Sequence, residues 1–318
     1  MMRLMGDRRI ALGILIAIAI VAMGMISPYF LEAGNLLSLM QYSSVVGLLA
    51  IGQSLVILGG GGGIDLSVGS MLSLSSITFG LLAVDAGWSP WLAALGAIVA
   101  GALLGLFNGV LINVFNMPPL IVTLGTLYLY GSLALVLANG LDINGFDRDG
   151  FSILGQSTIF GIPTQVIFVL IPSYAAVAWV MSRTRFGREV YETGSNAIAA
   201  RISGVNVKWT RIKLYAISGV FSAMGAVVTA SWLLNAKSTA GVGQELQAIT
   251  IAVLGGIVIT GGVGRVSGTL LALVLVAVLN SGMALAGVGS TYQIGLLGVV
   301  LIVSVLVRHK SAIPSSVP

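Results

Sequence analysis

An all-α bundle of membrane-crossing helices is the fold this sequence predicts, and three observations carry the prediction. Of the 318 residues, 57% are hydrophobic and only 8% are charged, with a mean hydropathy of +1.05. A soluble domain carries about 25% charged residues. The apolar residues also fall into runs near the roughly 20 residues that a helix needs to cross the hydrocarbon core. Finally, twelve of the fifteen basic residues collect in three places: Arg3, Arg8 and Arg9 at the start, seven between Arg183 and Lys213, and Arg308 with Lys310 in the tail. Short basic segments stay on the cytoplasmic side of a bilayer, so this clustering reports topology and not a nucleic-acid surface.

About ten spans are expected, at 10–27, 36–58, 64–84, 92–115, 120–138, 163–182, 213–234, 249–264, 266–287 and 292–307. Arg8 and Arg9 before the first apolar run resemble a secretory signal, but further spans follow, so an uncleaved first helix is expected. Six spans precede the basic loop and four follow it. Even numbers on both sides put both termini and the loop 183–213 in the cytoplasm, and Asp142–Asp149 outside. The whole chain, 1–318, reads as one transmembrane domain with that loop as its cytoplasmic feature.

Two breaks interrupt the spans. Gly59–Gly63 is a run of five glycines before Ile64-Asp65-Leu66-Ser67, and Gly261-Gly262-Val263-Gly264-Arg265 precedes Ser267-Gly268-Thr269. Unwound backbone at membrane depth survives only buried in protein or lining a watery cavity. Met117-Pro118-Pro119 marks a third interruption. Small residues recur every fourth position at Ala93, Ala97, Gly101, Gly105 and Gly109, at Gly264, Gly268 and Ala272, and at Ser218, Ser222, Ala226 and Ala230. Such ridges let helices approach closely, within one chain or across a dimer seam.

Little of the sequence suggests covalent chemistry. There is no cysteine, and the only histidine, His309, lies between Arg308 and Lys310. The five-glycine run lacks the lysine of a phosphate loop, and no zinc or serine-nucleophile motif is present. No metal, no cofactor and no enzymatic activity are expected, so any ATP-driven work requires a borrowed ATPase. Asp65 is the one acid read as intramembrane; at the bilayer centre such a group costs about 2.5–3.5 kcal/mol. It either caps the helix that follows or serves a translocation path, as do Ser67, Asn108, Thr123 and Asn280 among the polar residues within spans. Arg265 at the inner boundary reads as a snorkelling side chain.

The basic loop has its own punctuation. Gly187, Arg188 and Glu189 open a short helix that Gly194 stops, and Asn196 is a plausible N-cap for a second that includes Ala200 and Arg201 and that Gly204 closes. Two capped helices make a compact platform.

The chain resembles the ribose-type permeases of bacterial carbohydrate ABC importers. The resemblance rests on Gly62–Ser70, on Asn108-Gly109 with Pro119–Thr126, on Gly187-Arg188 with Gly194–Val205, and on Gly243–Leu246 through Gly255-Gly256, Gly261-Gly262 and Gly268-Thr269. Leu120 stands where that family usually has phenylalanine, and Ile257-Val258 where Thr-Ser is common. The resemblance implies a fold similar to cobalamin-type importer permeases in the bacterial inner membrane, with the 183–213 loop as the ATPase-coupling element. It also implies cytoplasmic ATPase subunits, a second permease copy or sister permease, and an extracytoplasmic solute-binding protein. A small, neutral, polyhydroxylated solute suits an interior with so few charges. An ion-coupled secondary transporter is the alternative, with Asp65 as its only plausible intramembrane carboxylate.

Overall fold

The computed structural model describes residues 8–289 and, beyond them, 291–293, 295–296, 298–300 and 302. In chain order the helices are α1 (Arg8–Ile26), α2 (Ala33–Leu58), α3 (Val68–Gly80), α4 (Pro90–Asn113), α5 (Pro119–Leu137) and the single turn α6 (Ile153–Gln156). After a two-residue hairpin, β1 (Thr158–Ile159) with β2 (Ile162–Pro163), come α7 (Ile171–Arg183), α8 (Arg185–Ser195), α9 (Ala197–Ile202), α10 (Val207–Leu233), α11 (Gln244–Leu254) and α12 (Val266–Leu285). Wider π turns extend α3 through Asp85 and precede α7 from Val166. Among the described residues, eight helices are long and apolar enough to cross a membrane.

α2 and α10 form the centre. α10 packs against α4, α2 and α3, and α2 is buried along most of its 26 residues. α1 lies at the periphery, where Leu12 and Ala19 pack on Leu275 and Val278 of α12 while Ile14, Ile18 and Val21 face outward. α5 likewise turns Leu124, Tyr128 and Val136 to the lipid side. The ordinary inside-out rule fails here because lipid tails are as apolar as leucine, so burial follows small residues and polar groups instead.

The α4 ridge settles against α10, inside this chain. A Cβ at Gly101 would lie 2.5 Å from the Gly219 carbonyl, one at Gly105 would strike the Tyr215 carbonyl, and one at Gly109 would lie 3.0 Å from Ile212 Cα. The seam is therefore intramolecular at this face, and the second ridge behaves alike, with Gly268 against the Gly255 carbonyl.

Two expectations change. The span expected at 249–264 is an 11-residue helix followed by irregular backbone. At about 1.5 Å per residue it reaches about 16 Å, half of a bilayer core. Gly256, Gly261, Gly262 and Gly264 all hold positive φ angles there, a conformation that interrupts a helix however apolar the sequence. The last helix of the basic loop starts earlier than hydropathy implies: Val207–Lys213 is already α10, because Asn206 caps it by accepting from the Trp209 N–H. The tenth span, 292–307, and the tail with His309 lie mostly outside the described residues.

The α4–α10 packing gives a direct test. Gly105→Val should abolish or sharply lower the yield of monodisperse protein in detergent. Gly125→Val, at a position with open space around it, should leave yield and melting temperature nearly unchanged.

Candidate functional site

Three glycine-bearing segments converge at one end of the bundle. The Gly262 N–H donates to the Leu58 carbonyl (2.9 Å), which joins the break after α11 to the break after α2. The end of α8 sits on both. A Cβ at Gly194 would collide with the Leu58 carbonyl and the Gly262 nitrogen, and one at Gly60 would lie 2.8 Å from Gly194 Cα. Gly60 and Gly261 adopt φ of +67° and +94°, so only glycine fits both the turn and the approach.

Side chains pin the same junction. The Tyr191 hydroxyl donates to the Gly264 carbonyl (3.0 Å) and Arg211 Nε donates to the Gly59 carbonyl (3.1 Å). Burial pushes the Tyr191 phenol up from its ordinary value, with the Arg265 charge pulling the other way, so the hydroxyl stays a donor. Gly194 was expected to stop a helix in a left-handed cap. Instead α8 runs on to Ser195, and Gly194 is required for contact, not for its φ.

α8 and α9 project from this junction. Thr184 Oγ1 accepts from the Gly187 N–H (3.2 Å) at the start of α8, where a Cβ on Gly187 would lie 2.5 Å from the Val180 carbonyl. Arg185 pairs with Glu189 at 2.9 Å, and Arg188 is exposed. Asn196 Oδ1 accepts from the N–H groups of Ile198 and Ala199, both at 3.0 Å, so it is the N-cap of α9. Ala200 turns inward against Val205 and Val207, and Gly204 ends the unit at φ +87°. The outer face carries Ile198 (74% exposed), Ile202 (83% exposed) and Arg201. The two isoleucines stand one helical turn apart, on the same face, beside the arginine.

A second constellation lies beneath the first break. Asp65 is fully buried; its Oδ1 accepts from the Ser67 N–H (3.0 Å) and hydroxyl (2.6 Å), and its Oδ2 from the Ser218 hydroxyl (3.3 Å). Asn108 Nδ2 donates to Ser67 Oγ (2.8 Å), the Tyr130 hydroxyl donates to Asn108 Oδ1 (3.1 Å), and Thr123 Oγ1 donates to the Ile64 carbonyl (3.2 Å). Gln53, with its amide turned to suit both partners, donates to the Asp65 carbonyl (2.9 Å) and accepts from its N–H (3.2 Å). The structure thus joins Asp65, Ser67, Asn108 and Thr123, and adds Tyr130 and Ser218. Asp65 does not cap α3 itself; Ser67 occupies that position, and Asp65 braces the turn before it.

Asn280 stands apart, near the opposite end of α12. There a cavity of about 300 Å³ is lined by Asn35, Ser38 and Tyr42 of α2, by Gln247 of α11, and by Asn280 and Ser281. Tyr42 donates to Gln247 Oε1 (2.8 Å) and Ser281 to Asn35 Oδ1 (2.9 Å), while Asn280 Oδ1 is buried with no partner among the described residues. Among the described residues no group of three His, Cys, Asp or Glu side chains could hold a metal ion.

Residues 35–305 match the family model described as branched-chain amino acid transport system / permease component. The chain belongs to this permease family. It is 40% identical over 304 residues to the ribose import permease protein RbsC of Bacillus subtilis (strain 168), covering 95% of this chain and 92% of that one. It is 34% identical over 308 residues to the RbsC protein of Escherichia coli (strain K12), covering 96% and 94%. It is 36% identical over 294 residues to the D-allose transport system permease protein AlsC of the same strain, covering 92% and 88%. No solved structure matches the chain. The permease is a multi-pass inner-membrane protein, and as a permease subunit it is not itself the catalytic component.

Sequence reasoning missed the outer cavity of the permease because its polar residues come from helices far apart in the chain. It missed Tyr130 because a tyrosine in an apolar run reads as core, and Tyr191 because its partner, the Gly264 carbonyl, lies 73 residues away in the chain.

Asp65 offers a stability test. Asp65→Ala leaves three buried donors unpaired and should cost the permease about 3 kcal/mol or more, read as thermal unfolding in detergent. Asp65→Asn should cost less, because the Ser218 hydroxyl can turn and accept from the new amide.

Proposed function

We propose that this permease forms the membrane path of an ATP-binding-cassette importer for a small, neutral, polyhydroxylated solute such as a monosaccharide. Its relatives carry the names of ribose and D-allose permeases. The observation that carries the mechanism is the seating of Gly194 on both glycine breaks. Any displacement of the α8–α9 platform acts directly on the end of α2 and on the break between α11 and α12, and the opposite ends of these same three helices line the cavity at Asn280. In this reading the platform, with Arg188, Glu189, Asn196, Ala200, Arg201 and Gly204, docks on a cytoplasmic ATPase subunit. Closure of the ATPases tilts the helices and alternates access, a shift between two packings.

Both termini and the platform are cytoplasmic in this proposal, and ten crossings include the half-helix α11. The partners are two ATPase subunits, a second copy or sister permease, and an extracytoplasmic binding protein. The sealed Asp65, Ser67, Asn108 and Thr123 network holds the inner break in register, while Asn280 and its neighbours face the solute. The wall is uncharged and mixed, with Asn35, Ser38, Tyr42, Gln247 and Ser281 offering polar groups beside Leu39, Ala277, Ala284 and Leu285, which suits the hydroxyl groups and the carbon faces of a sugar.

Two experiments test this reading. Arg201→Glu should insert normally but lose ATPase co-purification and solute-stimulated hydrolysis, because it reverses a charge on the docking face. Normal binding and transport by this variant would defeat the coupling role. Asn280→Leu should lower uptake by up to about tenfold at limiting solute, with ATPase binding unchanged. Uptake at the unaltered rate would remove the outer cavity from the path.

A further inference from the structure

A cavity of about 600 Å³ adjoins the glycine junction and shares Tyr191 and Gly264 with it. It opens where the start of α1, the end of α7, the middle of α8 and the start of α12 meet, at the end of the bundle that carries the platform. Arg9 and Arg265 both line it, from segments at opposite ends of the sequence, and Ser182 and Ser267 add hydroxyl groups. Among the described residues lining it none is acidic. Arg265 is held there on extended backbone, φ −142° and ψ 137°, immediately after Gly264, whose carbonyl is fixed by the Tyr191 hydroxyl.

Two guanidinium groups on one cavity define a site for an anion with several oxygens, since each fork matches a phosphate in a bidentate geometry. The cavity also has an apolar side, formed by Ala178, Met181 and Val266, and it lies at the ends of membrane-crossing helices. A free inorganic anion has no use for that side. A phosphate that carries acyl chains does, because its chains continue along α1 and α7 into the bilayer. Basic pockets between helix ends on the cytoplasmic side are suited to such headgroups.

We propose that this cavity binds an anionic phospholipid, with the phosphate between Arg9 and Arg265 and the glycerol and headgroup hydroxyls against Ser182 and Ser267. The bound lipid ties peripheral α1 to the break before α12, one hydrogen bond away from α8. Assignment to the inner leaflet rests on the topology proposed above; the site itself does not.

The test uses the full-length permease in nanodiscs of phosphatidylcholine doped with phosphatidylglycerol, with the lipid retained after detergent extraction measured by native mass spectrometry. The wild type should retain phosphatidylglycerol in preference to phosphatidylcholine. Arg9→Gln and Arg265→Gln should each weaken that retention by about fivefold. Arg183→Gln removes the same charge from the same end of the protein without lining the cavity, and should change nothing. Should Arg265→Gln fail to yield monodisperse protein, the Arg9→Gln variant and Arg265→Lys, which keeps the charge but not the fork, carry the test with losses in the same direction. Equal retention of the two lipids, or equal losses in the Arg183 variant, would overturn the site. Displacement of phosphatidylglycerol by millimolar inorganic phosphate would overturn the lipid assignment in favour of a free-anion site.

Discussion

Irregular backbone cannot sit at membrane depth unless its polar groups are satisfied from within the protein, and the rest of this structure depends on how two such stretches meet that demand. Residues 59–67 and 255–265 each leave a helix, turn through several left-handed glycines and enter another helix. They satisfy one another. The Gly262 N–H bonds to the last carbonyl of α2, the Arg211 side chain covers the Gly59 carbonyl, and Tyr191 covers the Gly264 carbonyl. Any side chain at Gly60, Gly194 or Gly261 would part the strands of this junction. At this junction glycine stands where backbone must touch backbone.

The same constraint explains the division between the sealed and the open parts of the interior. Beneath the break after α2, a buried carboxylate accepts three donors and the residues behind it are paired in turn. A buried carboxylate with no cation beside it is tolerable only under such complete pairing. Toward the other end, the polar groups around Asn280 are incompletely paired and surround open volume. Incomplete pairing next to space is what a site for a hydroxylated ligand requires, because the ligand supplies the missing partners.

Placement of α8 and α9 ties the two breaks together. The platform rests on both breaks at a point where no side chain intervenes, so motion there passes through backbone with little slack. Close-packed contacts of this kind switch between discrete arrangements instead of yielding smoothly.

Much of this was legible in the sequence. Composition gave the class, the basic cluster of 183–213 fell on the α8–α9 platform and the start of α10, Asn196 and Gly204 punctuated α9, and the two glycine breaks were visible as interruptions. Each of these is local, written in neighbouring residues through helix periodicity, capping chemistry or charge. Hydropathy could not tell a half-helix from a span at 249–264, because the break depends on backbone angles and not on polarity. Nor could the sequence say that the α4 ridge faces α10, that Gly194 serves contact and not a turn, or that Asp65 meets Ser218 and, through Ser67, is joined to Asn108 and Tyr130. Those facts join residues far apart in the chain, and in a bilayer nearly every face is apolar, so the pattern that would sort inside from outside in water is absent. Only the packed structure decides which apolar face meets which.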